Sequence, residues 1–195
     1  MSQKNSNTTA DPIQWEEAVN LIHRLYRDGN YVMSMFIGIG IFTGLRVSDI
    51  KRITWAMLLD NDQFEIIEQK TGKRREIRVN KGFQKHVQDC YNALGITNRN
   101  AICLVSHKGC TYSTKRLNVL LKEIRDKYKV KCIHISCHSL RKTYGRKVYM
   151  SSGENASIAI ATLASLFNHS SVNITMKYLG IQREELLSTY DLLTF

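Results

Sequence analysis

Three short stretches of the chain place basic and nucleophilic side chains at spacings that could act on a phosphate. The first is Thr43-Gly44-Leu45-Arg46-Val47-Ser48-Asp49, at the exit of a long apolar run. A guanidinium just after a glycine offers a planar fork for two phosphate oxygens. The plainer alternative is a helix-surface arginine paired with Asp49. The second is His138-Ser139-Leu140-Arg141. Separation by three puts both side chains on one helical face, joining a fork to a ring that can donate or transfer a proton. Its alternative is a structural histidine beside a surface arginine. The third is Leu166-Phe167-Asn168-His169-Ser170-Ser171, followed by Tyr178. In one unbroken helix, His169 and Tyr178 would sit on opposite faces. Asn168 tolerates a left-handed, helix-ending conformation, and Ser171 can cap a new helix. A break there lets both residues point into one cleft, where a histidine could relieve a tyrosine (pKa about 10) of its proton. A half-buried core tyrosine is the commoner fate.

Charge points the same way. The 195 residues carry 28 Lys plus Arg against 17 Asp plus Glu, a net +11, which favours polyanionic partners, nucleic acid or an anionic membrane surface. Seven of the cations lie between Lys70 and Lys85 (Lys70, Lys73, Arg74, Arg75, Arg78, Lys81, Lys85), with Glu76 the one acid among them. A basic hairpin can lie along a phosphate backbone, although such runs are often plain solvated surface.

Apolar content of 43% with one proline excludes collagen-like and proline-rich classes and a disordered tail protein. Five cysteines (Cys90, Cys103, Cys110, Cys132, Cys137), an odd set without a CxxC pair, read as reduced thiols rather than a disulfide framework. Cys132-Ile133-His134 and Cys137-His138 form one cluster without the matching second ligand pair of a structural zinc site, so no metal is expected. The N-terminus has no signal-like apolar segment, and the longest apolar stretch, Tyr31 to Phe42, is too short to span a bilayer. No membrane partner is expected.

The elements that must position these residues are mainly helical. Asp11-Pro12 is predicted to open a first helix, with Asp11 as its cap, and Asp28-Gly29-Asn30 to end it. Trp15, Val19, Ile22 and Tyr26 give that helix one apolar face. A buried helix follows over Tyr31 to Phe42, then a shorter one with Val47, Ile50 and Ile53 on one side. Phe64 to Glu68 and Glu76 to Val79 flank the turn Lys70-Thr71-Gly72-Lys73, a hairpin, and Ile102 to Val105 is predicted as a third strand. Further helices are predicted over Lys81–Leu94, Ser113–Tyr128, Ser139–Met150, Ser157–Phe167 and Val172–Tyr178. The expected fold is α+β, mainly helical, with a small antiparallel three-stranded sheet. Residues 1–10 read as a disordered tail or linker remnant, 11–182 as one domain, and 183–195 as a helix with Leu186, Leu187, Tyr190 and Leu193 on one face.

Taken in order, these motifs resemble the catalytic domain of the tyrosine recombinases, or phage-type integrases. The matching stretches are "FTGLRVSDIKRITW", "IIEQKTGKRREIRV", "HSLRKTYGRKVY" and "LASLFNHSSVNITMKYLGI". The family pattern is Arg, Lys, His-x-x-Arg, His, Tyr. The resemblance implies that Arg46 and Arg141 clamp the phosphate, that Lys70 protonates the leaving 5′ oxygen, that His138 and His169 donate or accept protons, and that Tyr178 is the nucleophile. Asp49 matches the acidic residue that supports the arginines. Lys73 competes with Lys70 for the hairpin role, and Lys73, Arg74, Arg75 and Arg78 are expected to face DNA. Two positions depart from the pattern: Asn168 stands where the family usually has Gly, and Lys142 where it frequently has His.

The implied activity is cutting and rejoining of double-stranded DNA through a 3′-phosphotyrosine, without metal, ATP or another cofactor, in integration and recombination of a mobile element. The implied assembly is a tetramer on DNA from a protein monomeric in isolation, with residues 183–195 exchanged between protomers. A bacterial or phage-encoded cytoplasmic protein acting at the nucleoid is expected. The short polar N-terminus reads as a cut linker, so a catalytic fragment is expected rather than a short single-domain recombinase. The rival readings are type IB topoisomerase-like relaxation and a non-catalytic DNA-binding module.

Overall fold

The computed structural model describes residues 10–106, 108–181 and Tyr190. The residues 1–9, and all of 183–195 but Tyr190, lie outside it, and with them the expected tail and the expected exchanged helix. The chain divides into two compact units between Tyr144 and Gly145.

In the first unit, α1 (Trp15–Arg27) carries Glu16 and Glu17 in its first turn and Arg24 and Arg27 in its last, which suits the helix dipole. It buries Ala18, Leu21, Ile22 and Leu25, so Trp15, Val19 and Tyr26 form the half-buried margin of the stripe rather than its centre. The predicted start needs correction. Asp11 does not cap α1: its carboxylate accepts from the His134 N–H (2.9 Å) and its own N–H donates to His134 O (3.0 Å). Long-range pairing wins over the local cap, and the helix begins after extended Gln14.

The helix α2 (Tyr31–Thr43) is apolar around nearly its whole circumference and is buried accordingly. The short α3 (Val47–Ile50) follows, then α4 (Trp55–Leu59), whose cap Thr54 accepts from the Met57 N–H. The strands β1 (Gln63–Ile67) and β2 (Arg74–Arg78) pair antiparallel, with Ile66 opposite Arg75 and Phe64 opposite Ile77. Helix α5 (Lys81–Ala93) is capped by Asn80, and α6 (Thr114–Tyr128) by Ser113.

The sheet has two strands, not the three expected. The stretch 102–105 makes only isolated bridges, Thr54 to Ile102 and Val105 to Thr111. Turns on both sides leave it too short for a ladder. The Cys103 N–H to Ile53 O bond (2.9 Å) and the Trp55 N–H to Ala101 O bond (3.2 Å) make up the first of these bridges.

Helix α7 (Cys137–Met150) gives its residues up to Tyr144 to the first unit. The second unit holds its remainder, a 3₁₀ turn at Gly153–Asn155, α8 (Ala156–Phe167) and α9 (Val172–Leu179). Gly145 lets these helices approach: a Cβ there would stand 2.7 Å from Leu179 Cδ2 and 3.1 Å from the Phe167 ring. All five cysteines are free. Burial pushes the thiols of Cys90 and Cys137 up to about 12. Among the described residues no helix is long and apolar enough to cross a membrane.

Candidate active site

The loop that carries Arg46 is fixed by its own backbone and by two other arginines. Helix α2 ends on Gly44 in the left-handed region (φ +61°), where a side chain is strained. A Cβ at that position would also overlap the ring of Tyr144. The Thr43 carbonyl accepts from Arg75 Nη2 at 2.5 Å, and the Gly44 carbonyl from Arg141 Nη1 at 2.6 Å. Arg141 is 4% exposed, so its guanidinium is held by the same loop from which Arg46 emerges. The Arg46 side chain, 18% exposed, gives Nη1 to the carboxylate of Glu68 at 2.6 Å.

Asp49, buried at the end of α3, does not form the salt bridge that the plain alternative supposed for Arg46 with its neighbour in sequence. Its Oδ1 accepts from the Gln69 N–H at 2.8 Å. It therefore supports the hairpin backbone one residue before Lys70.

Lys70 sits exposed in the turn between β1 and β2. The turn is closed by the Gly72 N–H to Glu68 O (2.8 Å) and the Glu68 N–H to Lys73 O (2.9 Å). Lys73, Arg74 and Arg78 are exposed as expected of a charged outer edge, and Arg74 meets Glu65 at 3.1 Å. Arg75 is the exception. The alternation of β2 puts it on the same face as Ile77 and Val79, its side chain is only 11% exposed, and its donors go to Thr43 O and Glu68. Its expected role as a DNA-facing cation is corrected to that of an internal brace.

At the start of α7, the Cys137 N–H donates to Asn118 Oδ1 (2.8 Å) and the His138 N–H to Ser136 Oγ (3.2 Å). The His138 ring reaches the surface, yet its pKa is held below the ordinary imidazole value. Partial burial is the first cause, followed by the positive charges of Arg141, Lys142, Lys70 and Arg46. His138 is thus a neutral ring at pH 7, able to take or give a proton, and the Lys70 and Arg46 charges both act on it.

The second unit contains the break expected at Asn168. Helix α8 ends there in the left-handed region (φ +54°), and Ser171 caps α9 by accepting from the Ile174 N–H. The reversal brings the rings of His169 and Tyr178 to a centroid distance of 5.3 Å, edge to face. Phe167 stands against both, at 5.6 Å and 5.8 Å. His169 Nδ1 lies 2.9 Å from Thr175 Oγ1, which is fully buried and 3.5 Å from Ser171 O. The Thr175 hydroxyl therefore shares a hydrogen bond with Nδ1, and the tautomer of His169 sets which of the two donates.

Two contributors, Glu68 and Thr175, lie inside the matching stretches but have no role assigned to them by the sequence. For Thr175 the signal was its spacing, three residues and nearly one turn before Tyr178. For Glu68 it was an acid directly ahead of a basic turn.

Comparison with known proteins places these features in context. The model of the phage integrase family matches residues 8–185. A probable integrase/recombinase, YoeC of Bacillus subtilis (strain 168), is 25% identical over 186 residues, covering 87% of this chain and 86% of its own length. Among solved structures, XerA recombinase is 18% identical with a TM-score of 0.71, covering 96% of this chain and 66% of that one. XerH site-specific recombinase bound to a palindromic difH substrate is 15% identical with a TM-score of 0.68, covering 97% and 55%. The Tn1549 transposon integrase in complex with a circular intermediate DNA is 17% identical with a TM-score of 0.63, covering 91% and 63%. The chain thus spans about two thirds or less of those recombinases, and its likeness to them is one of fold.

Proposed function

The chain belongs to the phage integrase family of tyrosine recombinases, and from that premise we propose that it cuts and rejoins double-stranded DNA through Tyr178. The observation that carries this reading is the break at Asn168, which sets the His169 ring 5.3 Å from that of Tyr178.

A phosphodiester resists attack because its charge repels nucleophiles and its alkoxide leaves poorly, so catalysis rests on positioning and charge neutralisation. Arg46 and Arg141 hold the non-bridging oxygens. A histidine, His138 or His169, takes the Tyr178 proton. The tyrosine oxygen then forms its bond to phosphorus. The bond from phosphorus to the 5′ oxygen breaks, and Lys70 supplies the proton that makes this a 5′-hydroxyl. The product is a 3′-phosphotyrosine that keeps the energy of the original bond. A 5′-hydroxyl from a second duplex reverses the step, which is strand exchange without ATP.

Lys73, Arg74 and Arg78 supply electrostatic contacts to the backbone. Exchange between two duplexes calls for four protomers on DNA, with residues 183–195 as the segment passed between neighbours. The site of action is the DNA of a bacterial host, in the cytoplasm at the nucleoid. Family membership favours strand exchange over monomeric relaxation by a topoisomerase-like enzyme.

The test is incubation with duplexes carrying a nick beside the scissile phosphate, followed by denaturing gels. A recombinase leaves a covalent protein–DNA adduct. A non-catalytic DNA-binding module leaves none, and that result would refute the proposal.

A further inference from the structure

Glu68 stands directly after β1 and is only 3% exposed. Its carboxylate takes Arg46 Nη1 at 2.6 Å, Thr71 Oγ1 at 2.9 Å and Arg75 Nη1 at 3.5 Å. A carboxylate so enclosed is costly unless its oxygens are matched. Burial pushes its pKa up, but the Thr71 hydroxyl and the Arg46 and Arg75 guanidiniums outweigh this and hold it below the usual carboxylate value. It is therefore an anion at neutral pH.

Each partner leads to the cleavage machinery. Arg46 is itself one of the two clamping arginines. Thr71 adjoins Lys70 in the turn. Arg75 holds the Thr43 carbonyl, in the loop that carries Arg46. Asp49 makes the reciprocal tie, from the helix after that loop to the Gln69 N–H of the turn. Two carboxylates thus fasten the arginine loop and the lysine turn to each other, one from each side.

We propose that Glu68 is a positioning residue for strand cleavage, fixing the plane of the Arg46 fork relative to the Lys70 turn. The inference rests on the recombinase reading above. A guanidinium is rigid and planar, so a carboxylate on one nitrogen sets the direction of the others. Misplacing a clamping group by about 1 Å is enough to cost roughly 10²-fold in rate. Mere neutralisation of buried charge would be a different role: its loss would lower stability, without selective loss of the chemical step.

The experiment measures single-turnover adduct formation at saturating nicked duplex. It uses the full chain as wild type, Glu68→Gln, Glu68→Asp, Arg46→Lys and the Arg46→Lys/Glu68→Gln double variant. Affinity for the same duplex and thermal melting are measured alongside. Glu68→Gln keeps the size and an acceptor for Thr71 but removes the charge. Its adduct rate should fall on the order of 10- to 100-fold, with affinity within about threefold. Glu68→Asp should recover part of the rate. In the Arg46→Lys background, which has no fork to orient, Glu68→Gln should add little.

A Glu68→Gln protein that cleaves at the wild-type rate, or one whose loss is undiminished in the Arg46→Lys background, overturns the proposal. If Glu68→Gln does not fold, Glu68→Asp carries the test: a clear loss at saturating DNA supports it, and the wild-type rate overturns it. Wild-type protein without any adduct would instead sink the recombinase reading and this inference with it.

Discussion

The two units hold their functional side chains by opposite means. In the second, the features that bring His169 to Tyr178 are near in sequence: a left-handed Asn168, a Ser171 cap and the Thr175 hydroxyl. In the first, the contacts run between distant segments, Gly44 to Arg141, Thr43 to Arg75, Asp49 to Gln69 and Arg46 to Glu68. Local chain geometry orients the proposed nucleophile, whereas a buried network of charges orients the proposed clamp. The clamp should therefore be sensitive to charge and fork shape, and the nucleophile to helix-breaking and capping residues.

The largest expected effect is on the clamp. Arg46→Lys or Arg141→Lys keeps the charge and loses the fork, and loss of one such donor typically costs on the order of 10² to 10³ in rate. Single-turnover cleavage of nicked DNA should fall by that factor while affinity changes little. Normal cleavage by both variants would mean that charge alone suffices and the contrast with the second unit is misdrawn.

A smaller effect is expected at Thr175. Thr175→Val removes the hydroxyl beside His169 Nδ1. It should slow adduct formation roughly tenfold, the low end of a proton-transfer contribution, and change the pH–rate profile. An unchanged profile would separate Thr175 from the proton path and leave it a packing residue.

Asn168 tests the break itself. Asn168→Ala should cost about 1–2 kcal/mol, the penalty of a left-handed conformation for an ordinary residue, whereas Asn168→Gly should be close to neutral. Thermal melts compare the two directly. Equal stability of both variants would show that the positive φ is not what Asn168 contributes.

The finest effect concerns His138. Its pKa is lowered in the folded protein, so the neutral ring persists as pH falls through the ordinary imidazole value and is lost only below it. The acid limb of the cleavage rate should accordingly lie under about 6.5. A limb above that value would contradict the combined influence of partial burial and the four neighbouring cations.

The difference between the units also explains what could be read from the sequence. Asn168 and Ser171 announce their conformations through residue type, so the break and the convergence of His169 with Tyr178 were legible. So were the hairpin and the helix limits set by the Asp28–Asn30 turn and the Ser113 position. Glu68 was not, because no local pattern tells a carboxylate which distant guanidinium it will meet. Arg75 was misread as surface although its alternation with Ile77 and Val79 marked it as inward. The start of α1 failed because Asp11 pairs with the distant His134 backbone, and tertiary hydrogen bonds override a local cap. The third strand failed because its pairing with the Thr54 segment stops at a single bridge.

The most direct measurement is to locate the adduct. Wild type and Tyr178→Phe are incubated with the same nicked duplex, and the covalent peptide is identified by mass spectrometry. The account predicts DNA attached to the Tyr178 peptide in wild type, with Tyr178→Phe retaining DNA affinity and forming no adduct. An adduct that persists in Tyr178→Phe, carried by Tyr190 or any other tyrosine, would contradict it.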